Sequence, residues 1–118
     1  MKMFVLAAAL MIAPVAAHAE DVTAGAATFR QCTACHTIKP GQAGVAAPNL
    51  YGVVGRKAAS TGFAYSSALK ASKLTWDKAT LNTFLKAPQK LVPGTRMVVS
   101  IPDDTTRANL VAYLATLK

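Results

Sequence analysis

The densest chemistry in this chain lies in the run Cys32-Thr33-Ala34-Cys35-His36. Two thiols three positions apart can each add to a vinyl group on one edge of a porphyrin. The histidine that follows then lies against the ring face and can offer an imidazole nitrogen to iron. C-x-x-C-H is accordingly the pattern of c-type haem attachment. Other uses of a C-x-x-C pair ask for other surroundings. A thioredoxin-like redox pair sits beside a βαβ pattern and needs no following histidine. A zinc site needs four ligands, and no second cysteine pair exists. The pair could also be a structural disulfide.

An iron held by His36 needs a second axial ligand or an open site. Beyond Ala19 the chain offers a single methionine, Met97. It follows Pro93-Gly94-Thr95-Arg96, in a loop expected to reach the far face of a bound ring. A lone methionine ordinarily fills core space. As an iron ligand its soft thioether favours the ferrous state and raises the potential. Met97 is read as that ligand.

The amino-terminal stretch reads as an address, not as fold. Met1-Lys2 is a short positive start, residues 3–16 are almost wholly apolar, and Ala17-His18-Ala19 is a small-x-small cleavage site. This is the pattern of a secretory signal peptide. The apolar run falls short of the ~20 residues a membrane span needs, which argues against an uncleaved anchor. The expected organisation is a cleaved signal peptide at 1–19 and one exported domain at 20–118. Cleavage takes 19 of the 118 residues and leaves 99. So small a domain buries a modest core and gains from a metal or other staple.

Cleavage also removes His18, so His36 is the one histidine left. A bis-histidine haem or a histidine-based catalytic dyad would lack its second residue. Losing Lys2 takes the formal charge from +8 to +7. That surplus suggests an acidic partner surface, nucleic acid or anionic lipid, and export argues against nucleic acid.

The elements that must position these residues read as helices joined by long loops. Ala24, Ala26 and Ala27 favour a first helix from Thr23 to about Arg30, with Thr23 as its cap. Gly25 and Phe29 share one face of it, and a glycine on a buried face suggests a close crossing. Residues 37–60 carry Pro40, Gly41, Gly44, Pro48, Gly52 and Gly55, which argues loop and turns. A loop that long is expected to wrap something. Residues 65–71 could make a short helix. Thr75-Trp76-Asp77 opens the next, with Leu81, Phe84 and Leu85 on its apolar face and Pro88 at its end. Residues 91–101 read as irregular. Pro102-Asp103-Asp104 starts the last helix, capped by Asp103 or Asp104, with Leu110, Val111, Tyr113, Leu114 and Leu117 on its apolar side. No alternating strand pattern is convincing. The expected fold is all-α: three main helices, short ones and long loops around one haem.

Taken together and in order, these residues resemble class I cytochrome c, near the mitochondrial proteins and their bacterial periplasmic relatives. The likeness covers nearly all of residues 20–118. It rests on Gly25 and Phe29, on Cys32-Thr33-Ala34-Cys35-His36, on Pro48-Asn49-Leu50-Tyr51-Gly52 and on Gly55-Arg56. It continues through Gly62-Phe63-Ala64-Tyr65, Thr75-Trp76, Pro88, Pro93-Gly94-Thr95-Arg96-Met97 and Leu110-Val111-Ala112-Tyr113-Leu114. The resemblance implies one covalent haem c on Cys32 and Cys35, with His36 and Met97 on the iron. It implies that the Pro48 carbonyl accepts a hydrogen bond from the free N–H of His36. It implies that Arg56, Tyr65, Trp76 and Thr95 hold the haem propionates, and that Gly25 and Phe29 cross Leu110 and Tyr113. This chain also departs from the mitochondrial pattern. Phe84 stands where a tyrosine bonds the methionine sulfur, Val99 replaces a phenylalanine at the haem edge, and Leu69 replaces a polar residue. One residue is missing between Phe29 and Cys32.

The function implied is that of a soluble, monomeric electron carrier and not of an enzyme. Electrons leave through a haem edge ringed by Arg30, Lys39, Lys86, Lys90 and Arg96. The implied partners are redox proteins with acidic docking surfaces: a bc1-type complex and a terminal oxidase or photosynthetic reaction centre. The alternative is a haem enzyme subunit or a gas-binding sensor. Either needs an exchangeable sixth ligand, a position Met97 already fills.

Overall fold

A carboxylate starts the first helix. The Asp21 side chain accepts from the Ala24 N–H at 3.0 Å and caps α1 (Val22–Phe29). The cap is therefore Asp21 and not Thr23, which already lies within the helix. The computed structural model describes Ala8 and residues 20–118, so the expected signal peptide falls outside the described residues save for Ala8. A 3-10 turn, Arg30–Cys32, carries α1 into the first cysteine. Four helices follow: α2 (Ser67–Ser72), α3 (Lys78–Lys86), α4 (Pro88–Leu91) and α5 (Asp104–Leu114). No strand forms among the described residues, only an isolated bridge between Lys57 and Thr75. The chain is all-α, as its pattern predicts.

Each starting signal acts through a side-chain oxygen that takes an orphan N–H of the first turn. Ser66 accepts from Leu69 at 3.2 Å, Asp77 from Thr80 at 2.7 Å and Asp103 from Thr106 at 2.8 Å. Asp77 thus precedes the first turn of α3 instead of lying in it, and α2 starts at Ser67 instead of Tyr65. Pro88 ends α3 as expected. It also begins α4, because a proline at the first helical position gives up an N–H that had no partner there.

The terminal helices cross where Gly25 meets α5. A Cβ on Gly25 would lie 2.0 Å from the Asn109 carbonyl oxygen and 2.8 Å from Tyr113 Cβ, so no larger residue fits. One turn on, the Phe29 and Tyr113 rings pack with centroids 5.4 Å apart. The Asn109 side chain also accepts from the Asp21 N–H at 2.9 Å, tying the start of α1 to α5. The core runs from this crossing through Leu110, Val111 and Leu114 to Leu81, Phe84 and Leu85 of α3. Burying each such side chain contributes about 1.5–3 kcal/mol.

The long loop of residues 33–66 is tied down by backbone hydrogen bonds. Leu50 donates to Thr37 at 2.9 Å, Gly52 to Leu117 at 2.5 Å and Gly55 to Trp76 at 2.7 Å, while Trp76 donates to Arg56 at 2.8 Å. These ties hold the loop as one wall of a cavity whose other walls are α3, α5 and the segment after α4.

Candidate functional site

Cys32, Cys35 and His36 come together because the chain leaves α1 in a tight turn. The Cys35 and His36 N–H groups both donate to the Cys32 carbonyl, at 3.1 and 2.9 Å. The two cysteines form no disulfide; Cys32 is half-buried and Cys35 exposed. Burial raises the Cys32 thiol above its ordinary pKa.

The His36 Nδ1 lies 2.8 Å from the Pro48 carbonyl oxygen. Burial lowers the imidazole pKa, and the hydrogen bond to Pro48 works the other way. A carbonyl can only accept, so Nδ1–H donates to Pro48, and Nε2 is the ring nitrogen left for a metal. Fixing one ring nitrogen in this way orients a histidine ligand and raises its basicity. Gly44 makes the arrangement possible. A Cβ there would lie 2.1 Å from the Ala47 carbonyl oxygen and 2.8 Å from Pro48 Cα. Asn49 braces the same turn, donating to the Lys39 and Gln42 carbonyls at 2.7 and 2.6 Å and accepting from the Tyr51 N–H at 2.8 Å.

Cys32, Cys35, His36, Pro48, Arg56, Tyr65, Trp76, Thr95 and Met97, all nine sequence candidates, line one cavity of about 340 Å³. Phe29, Leu50, Val53, Leu69, Leu81, Phe84, Leu85, Leu110 and Leu114 make most of its apolar wall. Close-packed interiors hold few voids larger than a water molecule. An apolar cavity of this size lies in the range of cofactor sites.

The polar groups of the cavity suit an acidic, flat guest. Arg56 is half-buried and donates to the Tyr51 and Asn49 carbonyls at 3.1 and 2.9 Å. Burial lowers its pKa, the neighbouring Tyr65 works the other way, and a guanidinium stays protonated throughout. The Tyr65 hydroxyl pairs with Thr61 at 2.5 Å. Trp76 and Thr95 are only 7% and 6% exposed. Neither the indole N–H nor the Thr95 hydroxyl makes a protein hydrogen bond among the described residues. Open on the cavity, they are free for acidic groups of a bound molecule. An imidazole with Nε2 uncommitted, a thioether, two thiols, an apolar wall and these donors fit a haem c.

Met97 is half-buried against the core. Its segment is held from α4, where Gln89 donates to the Thr95 carbonyl and, at 3.5 Å, to that of Met97. Arg96 donates to the Ala64 carbonyl across the cavity mouth. Val98 and Val99, 77% and 47% exposed, stand at that mouth. Arg30, Lys39, Lys86, Lys90 and Arg96 are all exposed, but only Arg96 lines the cavity. Phe84 packs on Trp76 with ring centroids 4.9 Å apart and brings no hydroxyl to the site.

Sequence reasoning did not single out the parts played by Gly44, Asn49 and Gln89. The breaker density of the loop marked Gly44 as a turn residue, and Asn49 lay within a matched motif. Gln89 carried no signal.

The family model described as cytochrome c matches residues 22–118. Cytochrome c2 of Rhodoblastus acidophilus is 48% identical over 102 residues, covering 85% of this chain and 95% of the relative. Cytochrome c2 of Rhodomicrobium vannielii is 43% identical over 117 residues, covering 98% and 94%. Among solved structures, cytochrome cH from Methylobacterium extorquens superposes with a TM-score of 0.76 at 44% identity, covering 81% of this chain and 98% of that one.

Proposed function

The chain belongs to the cytochrome c family, carries one covalent haem c and transfers electrons, and from that premise we propose that it is a soluble periplasmic shuttle between redox complexes. When bound, the haem supplies a one-electron ferric/ferrous couple. Cys32 and Cys35 anchor it through thioether bonds. His36 and Met97 would be the residues that hold its iron, with Pro48 orienting the His36 ring so that Nε2 is left for the metal. Arg56, Tyr65, Trp76 and Thr95 receive the propionates. With His36 and Met97 both given to the iron, the protein would offer no open metal position to a substrate. The chain's task is then to hold one geometry in both oxidation states, which keeps reorganisation small.

The observation that carries this reading is the convergence of nine residues, drawn from segments far apart in sequence, on one apolar cavity. Residues 1–19 act as the signal peptide, and 20–118 remain after cleavage. The partners are acidic redox proteins, a bc1-type donor and a terminal oxidase or photosynthetic reaction centre as acceptor. Such encounters are small and transient. No helix among the described residues is long and apolar enough to cross a membrane.

Met97→Ala tests the ligand set. The ferric holoprotein is expected to show the weak long-wavelength band of thioether ligation. The variant is expected to lose it, to show a lower potential and, when reduced, to bind carbon monoxide. An unchanged band would refute Met97 as ligand and reopen the enzyme and sensor readings.

A further inference from the structure

Arg107 is 3% exposed, yet it lines no part of the haem cavity. A fully buried arginine is rare unless its donors are matched. Here Nε donates to Asn82 Oδ1 of α3 at 2.7 Å. Nη1 donates to the Ile101 carbonyl at 2.9 Å and the Pro102 carbonyl at 3.2 Å. Nη2 pairs with Asp104 at 2.5 Å, but that carboxylate is 84% exposed. A pair with so exposed a partner gives little reason to bury a charge. The three neutral acceptors are the better reason, because a guanidinium fork bonds them with charge-assisted strength.

Two of those acceptors are the residues where the Met97 segment rejoins the fold. Ile101 is held from both sides: its N–H donates to the Leu85 carbonyl of α3 at 2.8 Å, and its carbonyl accepts from Arg107. Between Met97 and Ser100 no backbone N–H donates a backbone hydrogen bond, and Val98, Val99 and Ser100 are exposed. The stretch is a strap with two anchors. Gln89 holds the Met97 end, and the Ile101–Pro102 corner holds the other. Four residues of strap span at most ~14 Å, so movement at the corner reaches Met97 with little slack.

We propose that Arg107 is a positioning residue for Met97, acting through the carbonyls of Ile101 and Pro102. This rests on the reading of Met97 as iron ligand. The clamp resists displacement of the thioether by pinning the end of the strap that Gln89 does not reach. Its side chain never meets the cavity.

The experiment uses holoprotein with two variants and two readouts. Arg107→Lys keeps the charge and loses the fork. Asp104→Asn removes the surface pair and leaves the fork. Amide hydrogen exchange at Ile101 reads the corner, with Leu110 of α5 reporting global opening. Added imidazole, titrated against the ferric long-wavelength band, reads how firmly Met97 is held. In Arg107→Lys, Ile101 exchange is expected to quicken about tenfold more than that of Leu110, as the loss of a charge-assisted bond implies. Imidazole should displace the band at about tenfold lower concentration. Asp104→Asn should leave both readouts within about threefold of the parent. Equal acceleration at Ile101 and Leu110, or an unmoved imidazole midpoint, overturns the proposal. If Arg107→Lys does not accumulate as holoprotein, Asn82→Ala removes the Nε anchor, and selective quickening at Ile101 is again required. The exchange readout stands apart from the ligand assignment: a wrong assignment shows in Met97→Ala, a wrong clamp shows at Ile101.

Discussion

The imidazole of His36 has one nitrogen committed to the Pro48 carbonyl, and the turn that presents that carbonyl depends on Gly44. Gly44→Ala drives a Cβ to 2.1 Å from the Ala47 carbonyl oxygen, against backbone that cannot step aside without opening residues 44–48. The expected result is a loss of about 1–3 kcal/mol in denaturant unfolding of the holoprotein. The potential should rise, because a weaker hydrogen bond makes the imidazole a poorer donor to ferric iron. That sign is opposite to the one expected for Met97→Ala, so redox titration separates the two axial sides. Trp76→Phe keeps an aromatic ring against Phe84 and removes the indole N–H of a residue that lines the cavity. Unfolding should show a loss of about 0.5–1.5 kcal/mol, and no loss would place the N–H outside any haem contact. At this scale the candidate ligands were legible because their types are scarce. Outside 1–19 the chain has two cysteines, one histidine, one methionine and one tryptophan, each with a recognisable neighbour. Gly44, Gln89 and Arg107 were not legible, because each acts on backbone atoms that only the folded chain brings within reach.

The helices are set by their caps and by one close crossing. Gly25→Ala puts a Cβ 2.0 Å from the Asn109 carbonyl oxygen, so α1 and α5 must move apart. A loss of about 3 kcal/mol is expected, the upper end for overpacking, since backbone and not a flexible side chain is in the way. A melting temperature unchanged from the parent would show that the crossing is looser than it stands here. The caps give the protein an acid limb. Asp77 and Asp103 accept from the Thr80 and Thr106 N–H groups, and these bonds hold both carboxylates below the usual range. Their contribution is full above the unfolded pKa of about 4 and is lost as pH falls through the lower folded values. Asparagine keeps the cap and cannot titrate. Between about pH 6 and pH 3 the double variant Asp77→Asn/Asp103→Asn should therefore lose less in thermal midpoint than the parent. Parallel pH profiles would remove the caps from the account. Helix order was legible from these caps and from apolar spacing. Element ends were not: Asp21 sits two residues before the cap that alanine-rich composition suggests, and Pro88 reads as a stop although it also starts α4.

At the scale of the whole chain, two properties go together: a small fold built around a cavity, and a cationic surface. The core side chains Phe29, Phe84, Leu85, Leu110 and Leu114 all face that cavity, so without a guest they pack against about 340 Å³ of open space. Replacing Cys32 and Cys35 with alanine should leave a largely disordered, protease-sensitive apoprotein, and a well-dispersed NMR spectrum from that variant would sink the idea. The surface sets how the folded protein meets others. Without Lys2 the formal charge is +7, and Arg30, Lys39, Lys86, Lys90 and Arg96 are exposed. Val98 and Val99 offer apolar contact at the cavity mouth, with Arg96 beside them. A net positive charge on so small a body acts mainly on the rate of encounter, not on the lifetime of the complex. Above a Debye length of about 8 Å at physiological ionic strength, that attraction is screened. The second-order electron-transfer rate with an acidic partner should thus fall steadily as salt is raised, while the first-order rate within the complex stays constant. Neutralising Arg96 with glutamine should flatten the salt dependence more than neutralising Arg30, because Arg96 alone of the five lines the cavity mouth. A second-order rate that stays flat or rises with salt would leave the apolar patch, and not the charge, as what finds the partner.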